Sequence, residues 1–134
     1  MPAHFTLPPS LDDVAEIAEA ALAEIPEEFR RHVKNVALRV DEFPDDETLD
    51  ALGLESPFDL LGLYRGVDLG RKSSGVARDV DMIFLYRSPI LDEWIAAGDE
   101  PLAELIRHVL IHEIGHHLGL SDDDMERIEH TAED

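Results

Sequence analysis

At 134 residues the chain has room for one domain with a core but not for two, so a single domain over residues 1–134 is expected. Its 31 acidic groups against 11 basic ones give a formal charge of −20, a field that repels phosphate backbones and argues against nucleic acid as a partner. There is no cysteine, which excludes disulfides and any thiolate metal site.

The first thirty residues lack the basic start and continuous apolar run of a signal peptide, and no window reaches membrane-spanning length. A cytoplasmic protein without a membrane partner is therefore expected, a monomer by default. Pro2, Pro8 and Pro9 mark an extended arm. Ser10 and Asp13 have the spacing of a capping box, and Val14, Ile17, Ala18, Ala21, Leu22 and Ile25 recur at helical intervals. The pattern predicts a helix from Leu11 to Glu24, stopped by Pro26, with a short second helix over Glu27 to Val33. Arg30, Arg31, Lys34 and Arg39 are the densest basic cluster and read as a solvated helix end. Val36, Leu38 and Val40 alternate with Ala37, Arg39 and Asp41, the signature of a half-buried strand. Pro44 to Asp50 is acidic and turn-rich, with a helical stretch over Thr48 to Leu52.

Leu60 to Val67 reads as a second strand, in which Gly62 and Gly66 leave one face bare for close approach by a neighbour. Asp68 to Asp79 is a polar loop without a phosphate-cradling motif. Val80 to Arg87 places Met82, Phe84 and Tyr86 on one side and Ile83 and Leu85 on the other, which predicts a central strand buried on both faces. A short helix over Pro89 to Ala97 carries Trp94, read as a packing residue. A long helix then starts near Asp99 or Glu100, with Pro101 in its first turn, and runs to Leu118; Leu102, Leu105, Ile106, Val109, Leu110 and Ile114 form its core face. A last helix begins after Ser121 and extends to about His130.

The long helix ends in His112-Glu113-Ile114-Gly115-His116-His117-Leu118-Gly119-Leu120-Ser121-Asp122. Residues four apart lie one above the other on a helix, so His112 and His116 can offer two imidazoles to one metal ion from a single face. Glu113 lies about 100° round the axis from His112, within reach of a water on that metal. Gly119 suits the left-handed conformation that ends a helix, and a chain turning there can return Asp122 as a third ligand. Three protein ligands and one open position describe a catalytic zinc, whereas structural zincs are closed by four. The duller role for Asp122 is to cap or charge the last helix, with Asp123, Asp124 or Glu126 as other candidate ligands. His108 and His117 read as neighbours of the ligands, and His4, His32 and His130 as surface histidines.

This segment resembles the zincin superfamily of metallopeptidases and is closest to the metzincin pattern H-E-x-x-H-x-x-G-x-x-H, with Asp122 replacing the last histidine. His112 to Met125, together with Leu60 to Gly66, resemble a family of small bacterial minimal zincin-like metallopeptidases. Metzincins place a methionine turn well beyond the third ligand, whereas Met125 follows Asp122 by three residues and is read as core. The resemblance implies an α+β minimal zincin-like fold, a small mixed three-stranded sheet packed with helices that include a long active-site helix. It also implies zinc held by His112, His116 and Asp122, and peptide-bond hydrolysis by a metal-activated water with Glu113 as general base and acid. The substrate, a peptide or protein, would lie against Leu60 through Gly66 as an edge strand, with Tyr64 or Tyr86 available to the oxyanion. An aspartate ligand neutralises more charge than imidazole and would leave the zinc less electrophilic. Two other classes fit the motif: an endoribonuclease-type zinc hydrolase, which the −20 charge disfavours, and a metal-holding domain that binds a partner without turnover.

Overall fold

The structure, a computed structural model, describes residues 7–30, 36–65 and 81–133, with the backbone alone for residues 28, 29, 122 and 129–133. The predicted end of the second helix and the polar loop at 68–79 lie outside the described residues. So do His4, Arg31, His32, Lys34 and Gly66. The elements run α1 (Leu11–Glu24), α2 (Glu27–Arg30), β1 (Val36–Asp41), α3 (Asp46–Leu52), a 3-10 turn (Pro57–Asp59), β2 (Gly62–Arg65), β3 (Asp81–Tyr86), α4 (Arg87–Ala97), α5 (Leu102–Leu118) and α6 (Asp122–Glu133).

Capping chemistry sets most of the boundaries. Ser10 Oγ accepts from the Asp13 N–H at 3.0 Å while Asp13 Oδ2 accepts from the Ser10 N–H at 2.8 Å, the reciprocal pair expected for α1. α3 begins earlier than predicted because Asp45 caps it, accepting from the Thr48 N–H at 2.7 Å. α4 follows β3 without a loop, with Pro89 in its first turn, where a missing N–H leaves no bond unmade. Pro101 is the N-cap of α5 rather than a residue of its first turn. Arg30 pairs with Glu27 at 2.7 Å and Arg39 with Asp41 at 3.0 Å, so each is held locally.

The strands form a mixed three-stranded sheet in the order β1-β3-β2, with β1 parallel and β2 antiparallel to β3. The α+β class and the central place of β3 are as expected. The register puts Val36, Leu38 and Val40 beside Ile83 and Leu85, with Gly62 and Tyr64 on the same face. There α1 and α5 pack, and Val14, Ala18, Ile83, Leu85, Ile106 and Leu110 lose all contact with solvent. The expectation that both faces of β3 are buried fails for Met82 and Phe84, which are half-buried. On that face the Arg65 guanidinium lies 5.1 Å from the Phe84 ring centroid and Phe84 stacks on Tyr86. Among the described residues no helix is long and apolar enough to cross a membrane.

Candidate active site

α5 buries Leu102, Leu105, Ile106, Val109, Leu110, Ile111, Ile114 and Gly115 against the core. A helix clamped on that face must turn the next residues round its axis outward, and His112 and Glu113 are accordingly half-buried while His116 is exposed. The rings of His112 and His116 are 6.0 Å apart at their centroids and nearly perpendicular. Two imidazoles meeting one tetrahedral zinc at about 2.0–2.1 Å have centroids roughly 5 Å apart, about 1 Å less than this separation. Nitrogen donors beside carboxylates, with no thiolate in the chain, form a donor set that suits zinc. Among the described residues no three histidine, aspartate or glutamate side chains already converge as a ligand set. The side chain of Asp122 lies outside the described residues.

The backbone around Asp122 is nonetheless well determined by local chemistry. Gly119, at φ 73°, ends α5 in the left-handed region, and its N–H turns back to the carbonyls of Gly115 and His116. Leu120 N–H adds a bond to the Gly115 carbonyl at 2.8 Å. Ser121 then caps α6. Its Oγ accepts from the Asp124 N–H at 3.1 Å, and Asp124 Oδ2 accepts weakly from the Ser121 N–H at 3.4 Å. Ser121 and Asp124 thus supply the cap of α6. Met125, 1% exposed, packs directly on Gly115 and belongs to the core, as expected. This contact docks the start of α6 on the same turn of α5 that carries Glu113 and His116.

Glu113 reaches across to the sheet. Its Oε1 accepts a long hydrogen bond, 3.3 Å, from the backbone N–H of Tyr64 in β2. Burial pushes its carboxyl above the ordinary glutamate range; the charge of His116 and the Tyr64 N–H pull the other way without cancelling it. Among the described residues β2 lies at an edge of the sheet, where the edge strand over Leu60 to Gly66 is expected; Gly66 itself is outside them. Tyr86 N–H donates to the Leu61 carbonyl at 2.9 Å, so alternation turns the backbone groups of Gly62 and Tyr64 away from β3, towards the outer side of β2.

Neither tyrosine stands ready for an oxyanion. Tyr86 is 3% exposed. The Tyr64 hydroxyl donates to Asp81 Oδ2 at 2.9 Å; burial, that bond and the Asp81 charge together raise its pKa far above the ordinary tyrosine value. The Tyr64 ring stacks on His117, centroids 3.9 Å apart, and His117 Nε2 lies 3.8 Å from the same Asp81 oxygen. This Tyr64-Asp81-His117 group escapes sequence reasoning, although strand alternation already puts Tyr64 on the face of Gly62. His108 lies against His112, centroids 4.2 Å apart.

A search of curated proteins finds no match for the chain. A family model described as zincin-like metallopeptidase matches residues 33–132, a span that takes in all three strands, α3, α4, α5 and most of α6. With the match covering three quarters of its length, the chain belongs to the zincin-like metallopeptidase family.

Proposed function

We propose that the protein is a zinc-dependent metallopeptidase in which His112, His116 and Asp122 hold the metal and Glu113 is the general base and acid. Zinc, when bound, supplies a water acidified from a pKa of about 15.7 to about 7 and polarises the carbonyl that is attacked. Glu113 takes the proton released in attack and returns it to the leaving amine. A half-buried carboxyl with a raised pKa suits both halves of that task, because it accepts a proton more readily than an exposed glutamate and still gives it up. The Tyr64 N–H holds one carboxylate oxygen in place. An extended peptide would add to the outer side of β2 through the backbone groups of Gly62 and the carbonyl of Tyr64, the Tyr64 N–H being taken by Glu113.

The observation that carries this reading is the contact between Tyr64 N–H and Glu113 Oε1, which brings the acid–base group of the metal-binding helix to the rim where a peptide strand would lie. The test combines metal analysis with a peptide-library cleavage screen. The wild type should hold one zinc and cut peptides; His112→Ala and His116→Ala should lose the metal, and Asp122→Ala should weaken it by about 10-fold or more. Glu113→Gln should keep the zinc and lose at least about 100-fold in kcat. Cleavage at full rate by Glu113→Gln rejects the mechanism, and undiminished zinc affinity in Asp122→Ala rejects the third ligand. Stoichiometric zinc with no cleavage in the wild type would leave a metal-holding partner-binding domain.

A further inference from the structure

A cavity of about 350 Å³ opens beside the site, lined by Leu61, Glu93, Glu100, Leu105, His108 and Val109. Its place follows from helix geometry. His108 and Val109 lie on the turn of α5 before His112 and Leu105 one turn earlier, and Leu61 immediately precedes β2. Trp94 Nε1 donates to the Glu100 carbonyl at 2.8 Å and so fixes the segment between α4 and α5 that brings Glu100 to the rim.

The lining has two chemistries. Leu61, Leu105 and Val109 provide an apolar wall, whereas Glu93 and Glu100 bring two carboxylates that enter no ion pair among the described residues. Carboxylates alone would be a solvated rim. Set over an apolar wall in a chain of formal charge −20, they complement a long aliphatic stem ending in a cation. A turn of four residues on α5 is about 6 Å long, and an extended peptide advances about 3.3 Å per residue, so the cavity lies about two substrate residues from the His112 level.

We infer that this cavity is a specificity subsite for an arginine or lysine side chain placed within about two residues of the cleaved bond. The inference rests on the peptidase reading, and its test separates the two. Binding is measured on the full-length, zinc-loaded Glu113→Gln protein, which leaves peptides intact. The probes are fluorescent peptide pools, neutral at every randomised position, with one fixed position as arginine, lysine or norleucine. At low ionic strength the arginine and lysine pools should bind about tenfold tighter than the norleucine pool. In Glu93→Gln or Glu100→Gln that ratio should fall about threefold, in the double variant it should approach unity, and added salt should shrink it. The same pools offered to the zinc-loaded wild type should be cut at a constant distance from the basic residue. Equal binding of basic and norleucine pools overturns the subsite, as does a ratio unchanged in the double variant. A tenfold preference without any cleavage keeps the subsite and removes the peptidase; cleavage without preference does the reverse.

Discussion

Gly115→Ala tests how α6 is seated. A Cβ at residue 115 would overlap Met125 Sδ and fall within 2.6 Å of its Cγ, and Met125, 1% exposed, cannot retreat into solvent. The far end of a methionine can swing aside, but the Cγ moves only with χ1 or with the helix, so α6 must shift. Overpacking of a filled core costs about 1–3 kcal/mol, and alanine regains about 1 kcal/mol of helix propensity over glycine. The net expectation is a loss of about 1 kcal/mol, a fall in Tm of roughly 3–5 °C for a domain of this size. Because Asp122 opens α6 three residues before Met125, zinc affinity should fall with it by about 10-fold. Thermal or denaturant unfolding of the metal-free protein and a zinc competition titration read the two effects. Adding Met125→Ala supplies an internal control. Alone it should cost about 2–5 kcal/mol, but the new methyl at 115 partly fills its void, so the double variant should be more stable than the sum of the singles predicts. A gain of about 1 kcal/mol in Gly115→Ala with unchanged zinc affinity would mean that residue 115 is an ordinary helix position, and the seating argument would be wrong.

Two further outcomes follow from the same geometry. Tyr64→Phe keeps the stack on His117 but loses the bond to Asp81, so it should lower stability by about 1 kcal/mol and kcat by less than about threefold; a 100-fold fall in kcat with Tm unchanged would make Tyr64 an oxyanion donor after all. Burial raises the Glu113 pKa in the metal-free protein. The folded state binds that proton more tightly than the unfolded one. Relative to Glu113→Gln, the metal-free wild type should therefore lose stability as pH rises from the unfolded value to the raised folded one, and an equal pH dependence of the two would refute the shift.

What was legible in the sequence was whatever is written within one turn or one strand. The His112-Glu113-His116 face follows from 3.6-residue periodicity, the Ser10 cap from a partner side chain three residues on, and the central place of β3 from its apolar run. What was not legible depends on partners far along the chain. Glu113 and Tyr64 are 49 residues apart and Tyr64 and Asp81 are 17 apart, and neither contact leaves a local pattern. The burial of both faces of β3 was over-read for a related reason. Met82 and Phe84 look like core from their own strand, yet α1 and α5 pack on the opposite face, and what shields Phe84 is the guanidinium of Arg65.

The site is aligned as much by absent side chains as by present ones. A Cβ on Gly62 would come within 2.8 Å of Val109 Cγ1 and 3.2 Å of the Phe84 carbonyl, so glycine there lets β2 lie close against α5. From that contact the strand and the helix stay in step: two strand residues advance about 6.6 Å and four helix residues about 6 Å. Gly62 against Val109 therefore leads to Tyr64 against Glu113, and the N–H that reaches the carboxylate is the one that strand alternation already turns away from β3. Gly115 plays the corresponding part on another side of α5, admitting Met125 and with it the start of α6. A peptide strand laid on β2 would keep the same pace past the helix, two residues to each turn. That pace gives the motif at His112 and the cavity at His108 a common ruler, and it is why a preference in the cavity should appear at a constant distance from the cut.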